Sequence, residues 1–154
     1  MTQTKPPLLE VKNLRKYFPI RKGFLRRIVG NVRAVDDVNL FINEGETLGL
    51  VGESGCGKTT ASRCIIRAII PSSGEINLRT EQGDTVNISQ FSRAQLRPLR
   101  PQMQMIFQDP YGSLNPRMTL FDIVGEPLLV NGMKDRKQRT ERVAELLNLV
   151  GLRP

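Results

Sequence analysis

Long apolar runs, cysteines and aromatic side chains are all scarce in this chain, and each scarcity removes a class of function. The most apolar patch, Cys64 to Ile70, is interrupted by Arg67 and falls far short of the roughly 20 residues that a membrane-spanning helix needs. Met1 to Pro7 is polar and carries two prolines, so no targeting segment is expected and the chain reads as cytosolic. The two cysteines, Cys56 and Cys64, are spaced for neither a zinc site nor a redox pair and are expected as free thiols in a reducing compartment. Aromatics make up 5% of the residues, which leaves no stacking platform for bases and argues against nucleic acid in spite of a net charge of +8.

What the chain does have is an ordinary globular balance, 39% hydrophobic and 25% charged over 154 residues, enough for one compact core. The positive charge is spread through both halves with no basic tail, and it clusters locally at Arg21-Lys22 with Arg26-Arg27 and at Lys134 to Arg139. Such clusters are either solvated surface or a match for an anionic membrane surface or an acidic partner.

One stretch has a definite chemical purpose. Gly52-Glu53-Ser54-Gly55-Cys56-Gly57-Lys58-Thr59 fits G-x-x-x-x-G-K-[ST], preceded by an apolar run, Thr47 to Val51, and followed by a helix-compatible run, Thr59 to Ala68. Gly52, Gly55 and Gly57 let consecutive backbone N–H groups turn inward onto phosphate oxygens. A helix starting at Lys58 adds its unpaired N–H groups and the positive end of its dipole. Lys58 can reach the β- and γ-phosphates, the Thr59 hydroxyl is placed to ligate Mg²⁺, and Thr60 is a candidate for the α-phosphate. A nucleotide is therefore the expected ligand.

The remaining pattern supplies the frame. Alternation in Leu8 to Tyr17 and in Arg33 to Ile42 predicts two strands with a long basic loop between them, Arg21 to Asn31. Asn43 to Glu46 turns into a strand over Thr47–Val51 that feeds the phosphate loop, and Pro71-Ser72-Ser73-Gly74 stops the following helix. Glu75–Leu78 reads as a strand, Arg79–Ser89 as loop, and Ser92 as the cap of a short helix closed by Pro98 and Pro101. Met103–Phe107 is an apolar run of strand length. Thr119 and Asp135 can each cap a helix, the second carrying Val143, Leu146, Leu147 and Val150 at helical spacing for packing or for a partner.

Taken in order, Lys16-Tyr17-Phe18, Ala34 to Val38, the phosphate loop, Pro71 to Ile76 and Met105-Ile106-Phe107-Gln108 resemble an ATP-binding cassette of a transporter, over Leu8 to Pro154. Gln108 to Thr119, with the long basic hairpin, resembles the ATP-binding subunits of bacterial oligopeptide and dipeptide importers, whose relatives also carry nickel. The resemblance implies an α/β P-loop cassette: an N-terminal antiparallel β layer and phosphate-loop strand (8–51), a partial RecA-like core (52–108), and the start of a helical subdomain (109–154). It implies ATP and Mg²⁺ as ligands, with residues 52–60 (Gly52, Glu53, Ser54, Gly55, Cys56, Gly57, Lys58, Thr59, Thr60) around the phosphates and Tyr17 stacked on adenine, a role Phe18 could take instead. Lys58 and Gln108 would act in catalysis, and Thr59 and Gln108 would meet the metal. Residues after Gln108, through about Gly125, would face transmembrane permease subunits, with a second cassette completing the assembly at the cytoplasmic face of the membrane.

A complete cassette of this type continues into a serine- and glycine-rich signature, an apolar strand ending in Asp-Glu and a histidine, and none of these is present here. Asp36-Asp37 precedes the phosphate loop and matches a different segment, so it is not taken as the metal-holding pair. The chain alone therefore supplies the phosphate cradle and is not expected to hydrolyse ATP. It is also expected to be marginal or aggregation-prone, because the phosphate-loop strand lacks a neighbour. Two other readings remain at this point, a non-catalytic nucleotide-binding or regulatory module and another phosphate-loop enzyme such as a small-molecule kinase.

Overall fold

The computed structural model describes residues 5–24, 26–108, 112 and 114–153. Two compact units divide the chain, Met1–Gln104 and Met105–Pro154.

The first unit is built on a four-stranded antiparallel sheet in the order β2-β1-β3-β4. β1 (Leu9–Lys22) and β2 (Arg27–Ile42) form a hairpin much longer than expected. The basic stretch between Arg21 and Asn31 is strand over most of its described residues, with Lys22 opposite Arg27 and with Gly23, Phe24 and Arg26 in a turn. Cations do not oppose this, because both faces of a two-stranded ribbon meet solvent, and Ile20, Ile28, Val29 and Val32 favour extended backbone. Nearer the base, the register shifts around Asn13 and Asp37, both left-handed at φ 49° and 59°. Asn and Asp tolerate that conformation, and the Asn13 side-chain amide donates to the Asp37 carboxylate at 3.0 Å.

β3 (Ser73–Arg79) lies antiparallel to the base of β1, with Val11 opposite Ile76. Gly74 makes that approach possible: at φ +103° its α-carbon faces the backbone of Lys12 to Leu14 so closely that a β-carbon would lie 2.6 Å from the Asn13 carbonyl oxygen. The polar segment after β3, expected as loop, contains β4 (Thr85–Asn87), paired to β3 across a turn closed by the Thr80 N–H on the Asp84 carbonyl at 2.8 Å. Three residues are too few for an alternation to show in sequence.

α1 (Lys58–Ile65) covers the sheet with Ala61 and Cys64, and the core around them is Val11, Leu14, Ile76 and Ile88. The helix ends before the predicted Pro71 stop, because Arg67 turns left-handed at φ 56°. Its buried guanidinium donates to the carbonyls of Ile88 and Phe91, each at 2.9 Å, so a tertiary contact sets the helix end. Ser92 then caps α2 (Arg93–Leu96) through a reciprocal capping box with Gln95. Pro98 and Pro101 lie in a 3₁₀ turn, Arg97–Gln102.

Two predicted strands are not formed. Thr47–Val51 and Met103–Phe107 make no ladder among the described residues, and Val51 and Ile106 are 97% and 96% exposed. Apolar runs of this kind are strands only when neighbours pair with them on either side.

In the second unit α3 (Leu120–Val130) begins at Thr119, whose hydroxyl oxygen accepts from the Asp122 N–H at 3.1 Å. α4 (Arg136–Leu149) begins at Asp135, which accepts from the Gln138 N–H at 2.8 Å. Val143 and Leu147 of α4 are buried, with Gly125 of α3 packed against Val143. Gly151, at φ +77°, closes the helix, leaving Val150 exposed beyond its end. Among the described residues no helix is long and apolar enough to cross a membrane.

Candidate functional site

The site starts from a helix end that nothing caps. Among the described residues no side chain caps the N-terminus of α1 and no acidic residue lies in its first turn, so its N–H groups and partial positive charge are left for an anion. Gly57, at φ +97° and ψ 0°, is the residue from which the helix starts. A β-carbon there would overlap the Ala34 carbonyl oxygen on β2, so only glycine allows the loop to lie against the strand. Gly55 is also left-handed at φ +81°, and a β-carbon on Gly52 would come within 2.7 Å of the Cys56 sulfur. Of the three glycines of the motif, Gly57 is required by the backbone facing it and Gly55 by its left-handed φ, whereas at Gly52 the close atom is the end of the Cys56 side chain.

Lys58 curls back over this loop. Its Nζ donates to the carbonyl oxygens of Gly52 and Glu53, both at 2.6 Å, and approaches Cys56 Sγ at 3.6 Å. The ammonium is therefore held above the loop by neutral acceptors, which a more strongly accepting oxyanion can replace without leaving a buried charge unpaired. Thr59 is exposed beside it, and Glu53 and Ser54 lie on the exposed outer side of the loop. Among the described residues no group of three or more His, Cys, Asp or Glu side chains forms a metal site.

A cavity of about 350 Å³ opens between the loop and the hairpin, lined by Val35, Asp36, Val51, Cys56, Gly57 and Lys58 among others. Tyr17 reaches it through Asp36: the phenol donates a short hydrogen bond to the Asp36 carboxylate. That bond is the main reason the phenol titrates above its ordinary value and the carboxyl below its own, with Arg33 and Arg15 further favouring the carboxylate. The Arg33 guanidinium stands 5.7 Å from the Tyr17 ring centroid, a cation over an aromatic face. Phe18 points to the opposite face of the ribbon, with Lys16 Nζ 4.9 Å from its centroid. Gln108 is exposed and belongs to the second unit.

The sequence weighs Asp36 only as a metal-holding residue, which it rejects, and gives Arg33 and the Ala34 carbonyl no role. The signal available for Ala34 and Asp36 is their place in Ala34 to Val38, which the resemblance matches without giving them a role. Asp37, next to Asp36, accepts from Asn13 and Arg15.

A glycine loop feeding an uncapped helix N-terminus with an inward lysine defines a phosphate-loop nucleotide-binding protein. The comparisons narrow the class. The ABC transporter family model matches residues 35–154, and the chain belongs to that family. It is 48% identical over 148 residues to the oligopeptide transport ATP-binding protein AppF of Bacillus subtilis (strain 168), covering 96% of this chain and 44% of the relative. It is 45% identical over 148 residues to the glutathione import ATP-binding protein GsiA of Pectobacterium atrosepticum, covering 96% of this chain and 23% of that protein. The chain thus spans less than half the length of these curated relatives. Among solved structures, the dimeric post-hydrolysis state of the ATP-binding cassette MJ0796 bound to ADP and Pi superposes with a TM-score of 0.69 at 26% identity, over 94% of this chain and 57% of that one. A second dimeric structure of MJ0796, a bacterial ABC transporter cassette, gives 0.72 at 25% identity over the same shares. The fold is the ABC cassette.

Proposed function

We propose that this chain is the nucleotide-binding portion of an ATP-binding subunit of a peptide importer. The observation that carries the reading is Lys58, lodged on the carbonyls of Gly52 and Glu53 at the uncapped start of α1. On this reading the loop N–H groups from Gly52 to Thr60 hold the phosphates, Lys58 moves from the two carbonyls to the β- and γ-phosphate oxygens, and the Thr59 hydroxyl ligates Mg²⁺. In the complete subunit, ATP binding and hydrolysis would be coupled to transport. Tyr17, oriented by Asp36, stacks on adenine with one face of its ring already bordered by Arg33, and Gln108 meets the metal and the γ-phosphate. The chain would divide functionally into the β layer (8–51), the phosphate-loop core (52–108) and the start of a helical subdomain (109–154), whose residues through about Gly125 would meet permease subunits. It would work at the cytoplasmic face of the membrane with a second cassette.

Support for peptide as the substrate class comes from the relatives named for oligopeptide and glutathione, which match over 96% of this chain. Replacing the matching region of AppF by this chain tests the proposal, with uptake of labelled oligopeptide as the readout. The chimera is expected to restore uptake and its Lys58→Ala form to abolish it. A chimera that assembles yet transports nothing contradicts the reading.

A further inference from the structure

We infer that the outer half of the β1–β2 hairpin is a lipid-binding arm that rests on an anionic bilayer surface. This is independent of the nucleotide reading, since it uses no residue of the phosphate loop.

β1 is paired on both sides only as far as Arg15, the last residue opposite β3. Beyond the Tyr17 N–H, which donates to the Ser72 hydroxyl at 2.9 Å, its neighbour among the described residues is β2 alone, out to Lys22 opposite Arg27. The arm is thus a two-stranded ribbon with both faces wet, a form that is marginal in water without a further surface to pack on.

Its side chains suit one kind of surface. Phe18 and Val32 are directly opposite each other, and Ile20 follows on the same face across from Gly30. All three are exposed, and Phe24 in the turn is fully so at 103%. Around this apolar strip lie Arg21, Lys22, Arg26 and Arg27, and no carboxylate among the described residues pairs with any of the four. From Lys16 to Val35 the sequence has six cations and no acid. An acidic protein groove would use the charge but leave Phe24, Ile20 and Val32 in water. The boundary of an anionic leaflet takes both, with the apolar side chains at the acyl edge and the cations among headgroup phosphates.

The chain contains no tryptophan, so Phe24→Trp introduces a single reporter at a site that packs against nothing. With vesicles of phosphatidylglycerol and phosphatidylcholine its emission is expected to shift to the blue and to be quenched by brominated acyl chains, and with phosphatidylcholine alone to stay unshifted. Replacing Arg21, Lys22, Arg26 and Arg27 by serine in that variant should weaken partitioning by at least about tenfold. The same charge removal at Arg63, Arg93 and Arg97, exposed residues of the same unit outside the hairpin, should leave it within about twofold. An unshifted spectrum, equal binding to both lipid mixtures, or equal loss in the two charge-removed forms overturns the inference. So does capture of the arm by a soluble acidic protein with no vesicle binding.

Discussion

The carbonyl oxygen of Ala34, on β2, occupies the position that a β-carbon on Gly57 would need. The hairpin and the phosphate loop are therefore set against each other backbone to backbone, and the start of α1 depends on a strand that lies more than 20 residues before it. Gly57→Ala is expected to destabilise the chain by about 1–3 kcal/mol, through a strained left-handed backbone and the displaced strand. Gly49→Ala, where the space is open and φ is ordinary, should change stability by less than about 0.5 kcal/mol. Urea midpoints of the two variants measure the difference.

Arg67 is a buried cation that bonds only to carbonyls, and it holds both the left-handed end of α1 and the Ile88 to Phe91 segment. Arg67→Ala leaves two carbonyls without their charged donor and should cost about 2–4 kcal/mol. The same urea titration measures the loss, and a variant with unchanged midpoint would show that water replaces the guanidinium.

The Tyr17–Asp36 bond makes stability depend on pH at both ends. Asp36 titrates below its ordinary value, so its contribution is complete above that value and is lost as pH falls through the lowered one. Tyr17 titrates above its ordinary value, so its contribution is complete below that value and is lost as pH rises through the raised one. In Asp36→Asn the phenolate absorbance of Tyr17 should appear at lower pH than in the parent chain, with Tyr17→Phe identifying which of the two tyrosines is being followed.

The two thiols should separate cleanly. Cys64 is fully enclosed in the core, and burial pushes its thiol up, while Cys56 is exposed in the loop. A thiol reagent should label Cys56 at once and Cys64 only on unfolding, and Mg-ATP should slow the first reaction. Equal rates for both would mean that the core around α1 is open.

The motif at Gly52 to Thr59 could be read from sequence because its residue types answer to local backbone geometry and to one ligand. The helix caps Ser92, Thr119 and Asp135 were legible for the same reason, each side chain bonding an N–H three residues ahead. What could not be read depended on distant partners. The end of α1 is set by Arg67 reaching Ile88 and Phe91, the hairpin length by pairing across the turn, and the Tyr17 environment by Asp36 on the next strand. Thr47–Val51 and Met103–Phe107 have the composition of strands, but among the described residues no strand pairs with them. Their exposed side chains predict that the chain studied by itself binds a hydrophobic dye in its folded state.

Calorimetric titration of the folded chain with Mg-ATP, beside Lys58→Ala, bears most directly on the central claim that the loop and its lysine grip a triphosphate. A measurable heat is expected for the parent chain and an affinity roughly tenfold to a hundredfold weaker for the variant, as loss of one charge-assisted contact implies. Absence of binding at millimolar nucleotide, or equal affinity in both proteins, would contradict it.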